Sequence, residues 1–180
     1  MATVGHLAMS CLGARLYHRR RPTLWQACAW SVPSFLPDAD VVAFAFVAYS
    51  HPLGHRGAAH SLAAAALVGL VVGAVARAIG AVKADDGVRL GVLVACVTAS
   101  HGLLDAMTDG GLGIGLLWPF TPTRYWAPWR PIPVAPIGAG MLSARGAYVL
   151  AWEALLFAPL FFLALRATAP RSRSERPGCG

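Results

Sequence analysis

The sequence is poor in charge. Asp, Glu, Lys and Arg make up 13% of its 180 residues, about half the share usual in a soluble domain. That deficit excludes an ordinary water-bounded surface. The 57% of apolar residues needs a non-aqueous surrounding, which a lipid bilayer supplies. Metal-type cysteine spacing is missing too. Cys11, Cys28, Cys96 and Cys179 lie far apart, three of them in apolar stretches, so they read as buried thiols with no disulfide framework. A secretory signal is also lacking, because the first apolar run starts without a basic region and the basic cluster follows it. No internal repeat is visible, and no motif of a nucleic-acid module. The net charge of +7 sits at the ends of apolar segments rather than along one stripe. Direct nucleic-acid binding is therefore not expected, and the charge reads as a topology signal.

The hydropathy pattern predicts an all-α fold: a polytopic membrane helical bundle of about four spans plus a short N-terminal helix. Residues 1–166 form a single membrane-embedded unit, and residues 167–180 form a basic tail expected to be disordered. The first segment, Val4 to Tyr17, is too short to span. The second, Thr23 to Tyr49, is apolar but interrupted by Pro33 and Pro37, with Asp38 and Asp40 in its middle. A broken helix at that depth is tolerated where it lines a cavity. After a polar loop, Ser50 to Ala59, a span runs from His60 to Val82 with Ser61 as its N-cap. A charged turn, Lys83 to Arg89, leads to a span from Leu90 to Met107. A long Gly/Pro/Trp-rich connection, Thr108 to Ala144, precedes the last span, Tyr148 to Leu165. The cluster Arg15–Arg21 and the tail are the densest basic regions, and an even number of spans between them puts both in the cytoplasm. The polar clusters then face outside.

Polar residues are scarce in the apolar stretches, so their placement is informative. His101 and Asp105 stand four apart on a predicted helix and share one face, where an imidazole and a carboxylate can grip one ion. An ionised carboxylate in lipid is costly unless paired or metal-bound. Asp109 lies a further turn on and is expected to ligate or to support a ligand. Asp38 and Asp40 are close enough to repel, and a divalent cation removes that conflict. His55 and His60 bracket a loop leading into a helix, and Arg56 between them suits a phosphate or carboxylate. His6 sits alone in the first segment.

Each feature also has a plainer reading. His101 with Asp105 can be a helix ion pair, Asp38 and Asp40 can cap a helix after Pro37, His55 and Arg56 can be solvated, and His6 can be a core histidine. Glu153, in mid-span, calls for a partner such as Arg77 or Arg145. What favours a shared divalent-metal site is that topology brings all these groups to one membrane face.

The series Gly5-His6, Leu36-Pro37-Asp38-x-Asp40, Gly54-His55-Arg56-Gly57-x-x-His60-Ser61, Ser100-His101-x-x-x-Asp105-x-x-Thr108-x-Gly110-Gly111 and Trp118-Pro119-Phe120 resembles the YdjM-like family. These are bacterial inner-membrane proteins described as metal-dependent hydrolases and carrying a LexA-binding label. By this resemblance His6, Asp38, Asp40, His55, His60, His101 and Asp105 form the candidate site. The order is also similar, more distantly, to zinc-dependent phospholipase C and the related single-strand nucleases. Those enzymes take further ligands beyond the His-x-x-x-Asp pair, and no histidine follows His101 here. One or two metals are therefore expected rather than three.

The expectation is a hydrolase of the bacterial inner membrane acting on a phosphoester, with a lipid headgroup as a candidate substrate. His6, Asp38, Asp40, His60, His101 and Asp105 would hold a divalent metal, zinc first and manganese or magnesium next. Asp40 and His55 would handle protons, and Arg56 would hold the anionic group. A transporter, or a regulatory membrane protein with a structural metal and a LexA-type partner, is the alternative.

Overall fold

The computed structural model describes residues 3–136 and 138–166. The tail 167–180, with Cys179, lies outside the described residues. Five α-helices carry the fold: α1 Thr3–His18, α2 Leu24–Phe35, α3 Leu62–Ala78, α4 Ala84–Ala106 and α5 Ala144–Leu165. Segments of 3₁₀ helix run over Leu36–Ala45, Ala58–His60 and Gly138–Leu142. Among the described residues there is no β-strand, only isolated bridges pairing Ile114 with Tyr125 and Thr108 with Ile132.

The span count is lower than the sequence led us to expect. Among the described residues, only α4 and α5 are long and apolar enough to cross a membrane, and α3 is a shorter apolar helix. At 1.5 Å per residue α4 and α5 reach ~33–35 Å, enough for a hydrocarbon core of about 30 Å. The expected second span fails for a local reason. Pro33 is accommodated inside α2, but Pro37 has no N–H to give and its ring opposes a continuing α-helix. The helix stops at Phe35 and the chain tightens into the 3₁₀ segment.

Helix starts follow capping chemistry. Thr23 and Gln26 form a reciprocal capping box at α2, and the Ser61 hydroxyl accepts from the Ala64 amide at 3.0 Å as expected. The Lys83–Arg89 stretch is not a turn. Asp85 and Asp86 lie in the first turn of α4, where carboxylates oppose the positive end of the helix dipole. Likewise α5 begins earlier than expected, because Ser143 caps it through the Gly146 amide.

Small residues decide the closest helix pair. A Cβ on Gly69 would lie 2.3 Å from the Gly91 carbonyl oxygen, and one on Gly73 would lie 2.6 Å from that of Gly87. This i, i+4 spacing of glycine on α3 and α4 is how helices pack where lipid removes the hydrophobic drive between them. Ala14, Trp30, Val94 and Val97 form a small core joining α1, α2 and α4. Large apolar side chains such as Leu70, Leu155 and Phe162 point outward. Cys28 and Cys96 are exposed as well, which corrects their reading as buried thiols.

Glu153 also has a partner the sequence did not suggest. Its Oε2 accepts from the Val4 amide at 2.6 Å and the Gly5 amide at 3.4 Å, so a buried carboxylate on α5 caps α1 rather than pairing with Arg77 or Arg145. Helices α1 and α5 run parallel, since Arg15 at the far end of α1 donates to the carbonyls of Ala164 and Arg166. At that end Arg89 donates to the Leu16 carbonyl and Arg77 packs beside Gly87. Basic side chains thus collect at one end of the bundle, and the start of α1, the end of α4 and the start of α3 meet at the other.

Candidate metal centre

The centre is built where α4 passes the broken end of α2. His101 and Asp105 both have fully buried side chains. Pro37 cannot donate to Pro33 O or Ser34 O, the acceptors that α and 3₁₀ geometry would assign to it. Other groups from α4 take up those carbonyls. The Thr98 hydroxyl donates to Pro33 O at 3.1 Å, and His101 Nδ1 lies 2.7 Å from Ser34 O. A carbonyl only accepts, so His101 Nδ1 carries the proton and Nε2 presents its lone pair.

The 3₁₀ segment after Pro37 turns Asp38 and Asp40 toward that lone pair. His101 Nε2 is 3.3 Å from Asp38 Oδ1 and 3.2 Å from His60 Nε2. His60 Nε2 is 3.5 Å from Asp38 Oδ1 and 3.8 Å from Asp105 Oδ2. On its other side His60 Nδ1 faces Asp40 Oδ2 at 3.1 Å, so in the neutral ring its proton belongs there and Nε2 points inward with its lone pair. Asp40 Oδ1 meets His55 Nδ1 at 2.6 Å. Burial pushes the Asp40 carboxyl up, but His55 and then His60 pull it below its ordinary value. Burial lowers His60, and Asp38 and Asp40 more than offset this, leaving it raised.

With both rings neutral, two imidazole lone pairs and a carboxylate oxygen within 3.5 Å of one another repel, and either a proton on His60 or a metal ion among them relieves it. The spacing suits a metal ion. Ligand atoms about 2.0–2.1 Å from a tetrahedral zinc stand about 3.3 Å apart. Both oxygens of Asp38 are buried without a well-aligned hydrogen bond, as expected of a carboxylate waiting for a positive partner. Two groups of side chains could hold a metal ion: Asp38, His60, His101 and Asp105, and Asp38, Asp40, His55 and His60. They share Asp38 and His60.

The remaining expected residues fall around this cluster. The His6 ring stacks on His101 at 3.8 Å between centroids, and its Nε2 is 3.7 Å from Asp105 Oδ1, so it lies against the cluster without joining either group. Arg56 is buried, not solvated. Its Nε is 3.2 Å from Asp105 Oδ2 and its Nη1 donates to Gly110 O at 2.7 Å. Its backbone sits at φ 63°, a conformation that costs about 1 kcal/mol or more outside glycine. That turn aims the Arg56 amide at Asp40 Oδ2, 3.2 Å away. Asp109 does not line the site. Helix α4 ends at Ala106, and the exposed Asp109 instead accepts from the Val134 amide at 2.7 Å, pinning the long connection.

Several residues that matter here were not singled out from the sequence. Ser34 anchors two histidines, offering its carbonyl to His101 and donating its hydroxyl to His6 O at 2.9 Å. Pro37 three residues on was the signal that this carbonyl would be free. Arg124 ties down the loop before the site, donating to the carbonyls of His55, Gly113, Tyr49 and His51. Gly102 lets the His60 segment lie on α4, for a Cβ there would come within 2.5 Å of His60 O. At Gly111 (φ 88°) a Cβ would meet Arg56 Nη1 at 2.5 Å. The Gly110-Gly111 pair thus receives the arginine.

Inner membrane protein YbcI of Escherichia coli (strain K12) is 42% identical to this chain over 104 residues, which is 57% of this chain and 58% of that relative. This chain therefore matches little more than half of that relative's length. No solved structure matches. The profile of the YdjM inner membrane protein family matches residues 1–172, nearly the whole sequence and the whole of the cluster described above; the chain belongs to that family of membrane proteins.

Proposed function

We propose that the chain is a membrane-bound metal-dependent hydrolase that cleaves a phosphoester, with its site at the non-cytoplasmic end of the bundle. The observation that carries the reading is the convergence of Nε2 of His60 and of His101, 3.2 Å apart and both within 3.5 Å of Asp38. Two nitrogens and two carboxylates favour zinc, with manganese next; magnesium prefers all-oxygen sites. A divalent ion bound there would polarise a phosphoryl oxygen and make a water acidic enough to react near neutral pH.

The chain's own residues do the rest. Asp40, its carboxylate held by His55 at 2.6 Å and the Arg56 amide at 3.2 Å, is placed to take a proton from water and return it to the leaving oxygen. Water oxygen adds to phosphorus, the ester P–O bond breaks, and the alcohol leaves with the proton. His6 braces His101 by stacking, or joins the ligand set through a turn of its ring. Arg56 holds Asp105 in place and brings a fixed positive charge toward the phosphoryl oxygens. The outward placement is supported by the basic residues Arg15, Arg77 and Arg89 gathering at the opposite end of the bundle.

A second reading is a structural metal in a regulatory membrane protein, to which a LexA-type partner would belong. The enclosure of the site favours it, since the side chains of His60, His101 and Asp105 are 0% exposed and closed sites are the structural kind. Elemental analysis and phosphodiester turnover of detergent-purified protein separate the two. The hydrolase reading expects about one to two zinc ions per chain and metal-dependent cleavage of bis(p-nitrophenyl) phosphate, both lost in His101→Ala. Bound metal with no turnover on any phosphoester would favour the structural reading, and stoichiometric metal in His101→Ala would overturn the site itself.

A further inference from the structure

Helix α2 leans on α1 and α4 but hardly touches α3, and this leaves an apolar groove of about 590 Å³ between them. Trp25 and Ala29 of α2, with Leu36 just beyond its end, form one wall, Val68 and Val72 of α3 the other, and Val94 of α4 the floor. From Trp25 to Leu36 the groove runs ~16 Å at 1.5 Å per residue, close to half of a hydrocarbon core of about 30 Å. Its upper end is not arbitrary. Leu36 is two residues from Asp38, and the last turn of α2 is the one whose carbonyls are taken by Thr98 and His101. The Leu36 end of the groove therefore lies beside the candidate metal centre.

We propose that this groove seats one acyl chain of a membrane phospholipid and so presents the lipid's phosphoester to the centre. The inference rests on the hydrolase reading for its meaning and deepens it by naming the substrate class. Three observations converge on this occupant: an apolar lining, a length of about one leaflet, and an end at Leu36, two residues from Asp38. In an inner membrane protein the phospholipid is the amphiphile that has all three matching parts. The wedge is also bounded by residues with no part in the metal cluster, so it can be blocked without touching a ligand.

The test uses the full-length protein in detergent with added dioleoyl phosphatidylglycerol. Native mass spectrometry should find one phospholipid retained per wild-type chain. Ala29→Trp, which fills the groove from an exposed position, should lower retention at least tenfold while zinc content and bis(p-nitrophenyl) phosphate turnover stay unchanged. Turnover of the phospholipid should fall by a similar factor. Ala29→Leu, a milder filling, should show a smaller loss in the same direction and guards against a folding failure. Absence of a retained phospholipid on the wild type, or equal retention in wild type and both variants, would overturn the proposal. Retention lost on filling while wild type cleaves neither substrate would leave the lipid site standing and remove the hydrolase reading.

Discussion

At the scale of single residues, the centre depends on groups that lend nothing to coordination but fix how ligands point. His101 is useful because a backbone carbonyl holds its Nδ1 proton, and that carbonyl is available because Pro37 withholds an N–H. Thr98 occupies the neighbouring acceptor. Thr98→Val keeps the shape and removes the hydroxyl, so it should cost about 1 kcal/mol of stability, read as a lowered Tm in detergent. Zinc affinity should fall modestly, because the turn carrying Ser34 loosens. Glu153 acts at the same scale. Its carboxylate closes the start of α1 two residues from His6, an arrangement worth about 1–2 kcal/mol when buried. Glu153→Ala should destabilise the fold by that order and Glu153→Gln by much less, since an amide oxygen still accepts; thermal unfolding of the pair checks it. Equal losses would show that the charge, and not the hydrogen bonds, is what α1 needs.

Elements meet at the centre because their surfaces are shaved to allow it. Gly69 and Gly73 bring α3 against α4, and Gly102 brings the 3₁₀ turn carrying His60 down onto His101. The two contacts predict different failures. Gly73→Leu must push α3 off α4 against backbone, an overpacking cost of about 1–3 kcal/mol, and should lower Tm while the centre at the far end still binds zinc. Gly102→Val acts beside the site and should abolish metal retention with a smaller loss of stability. Isothermal titration with zinc, run beside thermal unfolding, distinguishes these outcomes. If Gly102→Val binds zinc as wild type does, His60 is not held by α4 in the way described.

For the molecule as a whole, the ligand groups come from separate parts of the chain: the segment after α2, the loop before α3, and the end of α4. An ion bridging them ties those parts together and adds to the folding free energy. With free zinc at a thousand times its dissociation constant, linkage gives about 4 kcal/mol. Chelation should therefore lower Tm by several degrees, and added zinc should restore it. His101→Ala should unfold at one temperature with or without chelator.

Much of this was legible in the sequence, and the reason is chemical scarcity. In a chain with so few ionisable groups, each His and Asp in an apolar stretch carries weight, so the cluster residues could be named before any fold was known. The helix start at Ser61 was visible because a side-chain cap is local chemistry. Local rules failed where the deciding partner was distant. Asp109 looked like a further turn of one face until α4 ended, and Glu153 had no sequence neighbour to announce that it would cap α1. The membrane-crossing count was overread in two places: Pro37 ends α2 rather than bending it within a span, and α3 covers only Leu62–Ala78 of the stretch expected from His60 to Val82. Composition thus determined by itself that this is a helical membrane protein with a metal-suited set of side chains, since hydropathy and donor chemistry belong to each residue alone. Which donors face inward, which arginine is buried against Asp105 and where the apolar groove lies were decided only by tertiary structure, because those depend on distances between segments that no sequence spacing encodes.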